Sequence, residues 1–352
     1  MIDAKSLHAV LLTTVTVTKT ITIAIIALVL PQSSLQAAQI SVSTKQVTLS
    51  NFQPSRTVYG KLHWKGGISL SSTANGFGGL SGIVVSNDGK RFIAISDRGW
   101  WVKARLRLDA DQNLIGAENF LIAPLKIARK SKQKSTHWRD SEALAPWTSK
   151  GMDGPLLVGF ERRARLLRYK HQKRSFPNRP QRIRHPKAIA SGPFNAELES
   201  VGRFYAGPKR KWLIALSEEN LDKNGNIRGW TWRAKRTVAF SLKRFEDYAI
   251  TDLAVAPDGK TFFTLERSFN LPNLPGFAIR RFKTTDLRRG KTIKGELLFS
   301  GRQPFFAVDN MEGLAVHKTE KAAIQITIIS DDNFNRSLQR TLIYRFELIE
   351  PK

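Results

Sequence analysis

The 352-residue chain contains no cysteine, so disulfide bonds contribute nothing to its stability. Acidic residues are scarce: 29 stand against 57 lysines and arginines, which gives a formal net charge of +28 at pH 7. Beyond residue 38 no apolar run is long enough to span a bilayer. The same part of the chain also lacks the i, i+3, i+4, i+7 apolar spacing of amphipathic helices. The sequence therefore predicts an all-β protein.

Several catalytic and binding signatures are absent as well. There is no Gly-x-Ser-x-Gly nucleophile motif, and the Arg-His-Gly signature of one phosphatase class is missing. A phosphoesterase built on this chain would therefore need a metal ion. No motif interleaves aromatic and basic residues for stacking on bases, so we expect no nucleic-acid partner.

Residues 1–38 have the pattern of a secretory signal peptide. Lys5 and Lys19 precede a ten-residue apolar run at 21–30, Pro31 ends that run, and 37–38 offer two alanines for cleavage. An uncleaved membrane anchor is the alternative interpretation. The mature domain then spans 39–352, and a cysteine-free exported chain suits a bacterial periplasm. We expect a periplasmic or secreted monomer.

A two-part motif returns five times along the chain. Its first part, a short small, acidic and apolar step, occupies 79–83, 140–144, 197–201, 250–254 and 309–314. Its second part, an apolar run that ends in an acid, occupies 92–97, 156–161, 212–218, 262–266 and 326–331. The key positions of the first part are Ser81, Glu142, Glu199, Asp252 and Glu312, at intervals of 53 to 61 residues. Propeller blades of four strands repeat every ~40–50 residues. The repeat therefore predicts a single closed β-propeller with extended loops.

We expect six blades, with five or seven as the alternatives. Five blades follow from the motif. The sixth would combine strand-like segments at 40–49 and 58–70 with the C-terminal segment 341–348. Joining both termini in one blade closes the ring and removes its open edges.

Four of the key positions carry an acid and form a predicted metal site. They are Glu142, Glu199, Asp252 and Glu312. Since the innermost strand of each blade lines the channel of a propeller, these carboxylates would lie close together. Like charges at such distances need a neutralising cation, and calcium accepts about six to eight oxygen ligands in flexible geometry. Two alternatives remain: each acid caps backbone N–H groups of the next blade, or contacts substrate directly.

The acids that end the second part of the motif are accompanied by arginine in three of the five units. The predicted ligand-binding residues are Asp97, Arg98, Glu161, Arg162, Glu218, Glu266, Arg267 and Asp331. Each follows an apolar strand, so all would meet at one face. Arginine is a bidentate donor to phosphate and carboxylate groups. Ion pairs between blades are the alternative role.

Two histidines are candidates for a general base. His137 lies just before the second unit, and His317 follows Glu312 on the same predicted strand. No other residue stands out as catalytic.

Basic residues cluster at 126–139 and 162–187. Such clusters favour an anionic partner, either a small phosphorylated molecule or the anionic surface of a cell envelope. A solvated basic surface without a dedicated partner is the alternative.

Taken in order, the motif segments resemble the phytase-like family named for an esterase-like activity of phytase. The segments are 79–82, 96–99, 140–144, 197–200, 250–253, 265–267 and 309–315. The resemblance implies an exported bacterial propeller with a hydrolase label. Together with the predicted calcium site, it suggests metal-assisted hydrolysis of an ester, with phosphate esters favoured by the positive charge. A non-catalytic ligand-binding or scaffold propeller of the cell envelope is the alternative.

Overall fold

The protein is an all-β structure built from short antiparallel sheets. The computed structural model describes residues 37–127, 139–161, 164–173, 175–190, 198–269, 274–319 and 322–350. The predicted signal peptide up to residue 36, His137 and Arg162 lie outside these residues. In the described ranges the only helices are single 3-10 turns. None of those helices has the length and apolarity needed to cross a membrane.

The described residues form 24 strands. In chain order they are β1 (Ala38–Gln39), β2 (Ser43–Val47), β3 (Val58–Tyr59), β4 (Leu62–Ser71), β5 (Leu80–Val85), β6 (Arg91–Ser96), β7 (Trp100–Leu108), β8 (Leu114–Pro124), β9 (Ser141–Pro146), β10 (Leu156–Phe160), β11 (Arg165–Tyr169), β12 (Pro180–Ile183), β13 (Ser200–Arg203), β14 (Leu213–Leu221), β15 (Ile227–Arg233), β16 (Arg236–Leu242), β17 (Ala249–Val255), β18 (Thr261–Ser268), β19 (Gly276–Lys283), β20 (Thr292–Ile293), β21 (Glu296–Arg302), β22 (Asn310–Lys318), β23 (Ile324–Asp331) and β24 (Thr341–Leu348).

These strands make five blades. Ordered from the inner strand outwards, the sheets are β5-β6-β7-β8-β1, β9-β10-β11-β12, β13-β14-β15-β16-β20, β17-β18-β19-β21 and β22-β23-β24-β4-β2, with β3 added to β4. The inner strands β5, β9, β13, β17 and β22 touch one another in turn, and β22 returns to β5. The described chain is therefore a five-bladed β-propeller.

The core lies between the blades, which explains why the strands are apolar on both faces. Along β6, Phe92 and Ala94 pack with the fifth blade, whereas Ile93 and Ile95 pack with the second blade. Successive side chains of a strand point to opposite faces, so a strand between two neighbours buries every residue. This burial produces the continuous apolar runs of the repeated motif.

The predicted sixth blade does not form, and this part of the sequence prediction is wrong. The segments assigned to it instead complete the fifth blade, where β24 pairs with β23 on one side and with β4 on the other. The physical reason is that the fifth unit supplies only β22 and β23 before the C-terminal strand. It therefore needs β4 and β2 from the N-terminal region as outer strands. The termini do share one blade, as predicted.

Trp64 on β4 holds this junction between the two ends of the chain. Its ring lies edge-on to Tyr344 at 5.1 Å and to Phe346 at 5.2 Å between centroids. We expect Trp64→Ala to lower the free energy of unfolding by about 3 kcal/mol, since a large aromatic group is removed from a packed junction. Urea denaturation followed by circular dichroism measures this change.

Phe52→Ala is the matched control, because Phe52 is 68% exposed. It should change the free energy of unfolding by roughly 0.5 kcal/mol or less. Equal losses for the two variants would contradict the role given to Trp64.

Candidate functional site

A large acidic cavity opens at the end of the channel where the inner strands begin. Its volume is about 950 Å³. Among the described residues its lining includes eleven carboxylates and two arginines. The carboxylates belong to Asp97, Asp140, Glu142, Glu161, Glu199, Glu218, Glu219, Asp247, Asp309, Glu312 and Asp331. The cavity is thus strongly acidic although the whole chain is strongly basic.

β-bulges near the start of the inner strands bring the key positions of the first part of the motif to the channel. In four inner strands the pairing with the second strand shifts by one residue. The extra residues in those strands are Ser81, Glu142, Thr251 and Glu312. A bulge re-aims the side chain of its extra residue. In the third blade, Glu199 directly precedes β13.

The fourth blade departs from the sequence prediction at this level. Its bulged residue is Thr251, so Asp252 lies one position further along and does not line the cavity. The Asp252 carboxylate accepts backbone N–H groups from Leu253 at 2.8 Å and from Leu314 of the next blade at 2.7 Å. Asp252 therefore has the capping role that the sequence left open as an alternative.

The hydroxyl groups at the bulge level join neighbouring blades. Ser81 donates to the backbone oxygen of Ser141 at 2.5 Å, and Thr251 donates to that of Met311 at 3.0 Å. Each acceptor is the residue before the bulged glutamate of the next blade. Ser81 and Thr251 are therefore structurally equivalent.

A second ring of residues, which we call the second level, lies at the end of the second strand of each blade. It consists of Asp97, Glu161, Glu218, Arg267 and Asp331, and all five residues line the cavity. In the fourth blade this level is again displaced by one residue from the predicted position. Glu266, the predicted residue, lies one position before Arg267 and does not line the cavity. It is buried instead against Arg280, with Oε1 at 2.6 Å from the guanidinium, and accepts a hydrogen bond from Thr264.

The number of residues between the two levels of a unit reveals this one-residue shift in the fourth unit. With Thr251 and Arg267 as the pair in the fourth unit, the step between the two levels is 16 residues in the two units that carry a hydroxyl. It is 19 residues in the three units that carry glutamate. Pairing Asp252 with Glu266 gives an isolated step of 14 residues.

A compact carboxylate cluster lies on the second blade. One carboxylate oxygen from each of Asp140, Glu142 and Glu161 lies within 4.8 Å of the others. Sequence reasoning missed Asp140. The sequence does contain a signal for Asp140. A polar residue stands two places before the bulged glutamate in two units, as Asp140 before Glu142 and as Asn310 before Glu312.

Glu199 adds a fourth carboxylate to this side of the cavity. It is only 7% exposed, lines the cavity, and has no hydrogen-bond partner among the described residues. Burial raises its pKa well above the usual range, and the charges of Glu218 and Glu161 add to this effect. Burial likewise raises the pKa of Glu142, with repulsion from Glu199 next in size. These carboxyls are held where their ionised forms repel one another.

Arg267 supplies an internal cation to the opposite side. Its guanidinium lies 3.2 Å from Glu218 and makes closer contacts to Glu312 and Asn310. The Asn310 amide also donates to Glu312 at 2.9 Å. Burial nevertheless raises the pKa of Glu312 to about 6, against the attraction of Arg267.

Asp97 and Asp331 complete the ring between the first and fifth blades. Burial raises the pKa of Asp97 to about 6. Its position depends on Gly79, which has a positive φ of 60° and would place a Cβ 2.2 Å from the Asp97 carboxylate. Asp331 accepts the N–H group of Asn333 at 2.6 Å. Arg98 does not line the cavity; its guanidinium stacks on Phe334 at 3.5 Å from the ring centroid.

His317 lies toward the other end of the channel. It is five residues beyond Glu312 on β22, which corresponds to about 16 Å along a strand. Its Nε2 atom lies 3.2 Å from the guanidinium of Arg345. Burial lowers the pKa of His317 to about 3, and Arg345 lowers it further. His317 therefore stays neutral and far from the acidic cavity.

Comparison with known proteins identifies the family. The family model described as "Phytase-like: Esterase-like activity of phytase" matches residues 75–334. No curated protein matches the chain. An endo-arabinase from Bacteroides thetaiotaomicron VPI-5482 is 12% identical, with 77% of this chain and 94% of that chain covered and a TM-score of 0.46. The Cps50 (Swd1) β-propeller domain from Myceliophteria thermophila is also 12% identical, with 72% and 67% covered and a TM-score of 0.32. Both likenesses are too distant to inform function. Since the family match spans more than half of the chain, the protein belongs to the phytase-like family described by the esterase-like activity of phytase.

Proposed function

We propose that the protein is an exported hydrolase that uses calcium to cleave an ester or a phosphate ester. The observation that carries this proposal is the cluster of Asp140, Glu142 and Glu161, with Glu199 buried beside it. Family membership supports the hydrolase assignment.

The donor set fits calcium well. Carboxylate oxygens are the ligands that calcium prefers, and several carboxylates on a rigid ring meet its need for about six to eight oxygens. Burial, and after it repulsion from neighbouring carboxylates, raises the pKa of Glu142 and Glu199, and a bound cation would offset that repulsion. Asp140, Glu142, Glu161 and Glu199 are the residues that would hold the ion.

The cavity also offers groups for handling substrate and water. A bound calcium ion would polarise a carbonyl or phosphoryl oxygen and lower the pKa of water. Asp97 lines the same cavity with a pKa of about 6, which suits a general base that works near neutral pH. The proposed role of Asp97 is to accept the proton of the attacking water.

A non-catalytic binding propeller is the second candidate. One observation favours it: no histidine lines the described part of the cavity. A binding module requires bound metal and ligand without turnover. Failure of metal-loaded protein to hydrolyse any ester or phosphate ester would select this candidate.

The proposed site of action is the periplasm or the exterior of the cell. The apolar segment at 21–30 supports export. An anionic envelope surface is a proposed partner for the outer face of the second blade. Exposed basic residues there are Lys170, Lys173, Arg179, Arg182, Arg184 and Lys187. No acidic residue occurs between 162 and 196.

Calcium should raise the melting temperature of the EDTA-treated protein by several degrees, because it binds the folded state.

Glu142→Gln and Glu199→Gln should each weaken calcium binding by about tenfold or more, since each removes a charged ligand. Neither variant should melt lower than the wild type in EDTA, because each removes a carboxyl group whose ionised form is disfavoured by burial and by neighbouring carboxylates. Differential scanning calorimetry with and without calcium measures both effects.

Asp252→Asn is the matched control for these substitutions. It weakens a cap between two blades and should lower the melting temperature equally with and without calcium. Loss of the calcium response in this variant, with retention in both glutamine variants, would contradict the proposed ligand set.

The stability of the metal-free protein should depend on pH, and calcium should reduce that dependence. In the folded protein burial raises the pKa of Asp97 from 3.8 and of Glu312 from 4.5, both to about 6. The folded state thus binds protons more tightly than the unfolded state. The resulting stability is present below pH ~4 and is lost as pH rises through ~6. The metal-free protein should therefore melt lower at pH 7.5 than at pH 5.

Calcium should restore more stability at pH 7.5 than at pH 5, because protons compete for the same carboxylates. Melting curves at the two pH values, in EDTA and in calcium, measure this. The double variant Asp97→Asn, Glu312→Gln should flatten the metal-free dependence. An unchanged slope in that variant would assign the dependence to other groups.

A further inference from the structure

The cavity is divided by charge into two sides. On the second and third blades the lining is a set of crowded carboxylates. On the fourth and fifth blades the rim acids have cationic neighbours: Asp247 lies 3.1 Å from Arg302, and Asp309 lies 3.7 Å from Arg340. Arg267 neutralises part of the floor between Glu218 and Glu312. On this side, called the neutral side below, Asp247, Asp309 and Glu312 each have an arginine within 4 Å, and Asp331 adds one further carboxylate.

This neutral side is lined by amides and apolar groups. Gln303, Asn333, Asn335 and Gln339 place side-chain amides in the lining. Amides donate and accept hydrogen bonds without a charge. Phe269, Pro275 and Leu338 add apolar surface to the same lining.

Two of these apolar side chains are largely exposed to solvent at the cavity mouth. Phe269 is 61% exposed, and Leu338 is 81% exposed. Ligand sites combine apolar side chains with a small number of polar groups that fix the orientation of the ligand. Their place on the neutral side gives the organic part of a substrate an apolar contact next to the acidic side.

The cavity is a poor receptor for a second anion. The two arginines in its lining are both engaged: Arg267 by three side chains, and Arg244 by the backbone oxygens of Asp247 and Tyr248. Carboxylates outnumber them widely. An additional negative charge on the substrate would be repelled.

We propose that the substrate is a carboxylic ester whose acyl group is uncharged and apolar, and that this group binds between Phe269 and Leu338. This inference rests on the proposed function. In the reaction the acyl C–O bond breaks, water supplies a hydroxyl group to the acyl carbon, and the remaining proton goes to the departing alcohol. The basic outer surface then has no part in choosing the substrate.

A matched pair of esters tests the charge selection. The 4-nitrophenyl esters of butyric acid and of succinic acid share a leaving group and a similar acyl length, but the succinate ends in a carboxylate. With the calcium-loaded full chain, we expect kcat/KM to be at least about tenfold higher for the butyrate. Equal or higher kcat/KM for the succinate, or cleavage of 4-nitrophenyl phosphate without cleavage of the butyrate, would overturn the inference while leaving a hydrolase.

Variants locate the selection in the cavity. Gln339→Lys places a cation on the neutral side and should narrow the preference for butyrate over succinate. Gln181→Lys, on exposed β12 of the second blade, should leave the ratio unchanged.

Leu338→Ala should raise KM for the butyrate about threefold or more, whereas Leu297→Ala, 39% exposed on β21, should not. Unchanged ratio and KM in the cavity variants would overturn the proposed acyl site.

Absence of hydrolysis is also informative. If all three esters remain intact while calcium still raises the melting temperature, the hydrolase proposal fails and this inference fails with it. The metal site would then survive as part of a binding protein.

Discussion

Repulsion among carboxylates at the mouth of the channel is the constraint on which the rest of this structure depends. Five blades that meet at one axis direct equivalent positions into one cavity, and most of the positions that line it carry an acid. Burial raises the pKa of Glu142, Glu199, Glu312 and Asp97, so protons reduce the repulsion in the absence of a cation. The packed apolar faces between blades must therefore supply the stability that this ring opposes. A bound divalent cation would relieve the repulsion directly.

The fourth blade shows how the same repeat tolerates an exception. Its bulge carries Thr251 in place of an acid, and its second level carries Arg267. The guanidinium then reaches Glu218 and Glu312 from the neighbouring blades. Two local changes in one blade thus supply a cation to one side of the ring, and the opposite side keeps the carboxylate cluster of Asp140, Glu142 and Glu161. The division between a carboxylate-rich side and a neutral side follows from this asymmetry.

Net charge and cavity charge have opposite signs in this protein. The chain carries +28, with basic residues clustered at 126–139 and 162–187, whereas the described cavity has eleven carboxylates and two arginines in its lining. A surface charge acts on large or distant partners and on the rate of encounter. A buried cavity discriminates through the groups within contact distance. The preference for phosphate esters as substrates, drawn from the total charge, therefore stays a prediction, and the uncharged acyl group is our proposal from the cavity lining.

The sequence alone determined the all-β fold, the repeat and the family, because continuous apolar strand runs followed by an acid recur in every unit whatever the loop lengths. The structure places Glu142, Glu199 and Glu312, three of the four predicted metal ligands, in the cavity lining. The tertiary structure decided what depends on pairing between distant strands. It showed that β4 completes the fifth blade, which gives five blades instead of six. It showed that a one-residue bulge exchanges Thr251 for Asp252 and Arg267 for Glu266. A strand has a period of two residues, so a shift of one residue moves a side chain to the opposite face. Composition and spacing place a residue on a strand, and the register against its neighbour determines where the side chain points.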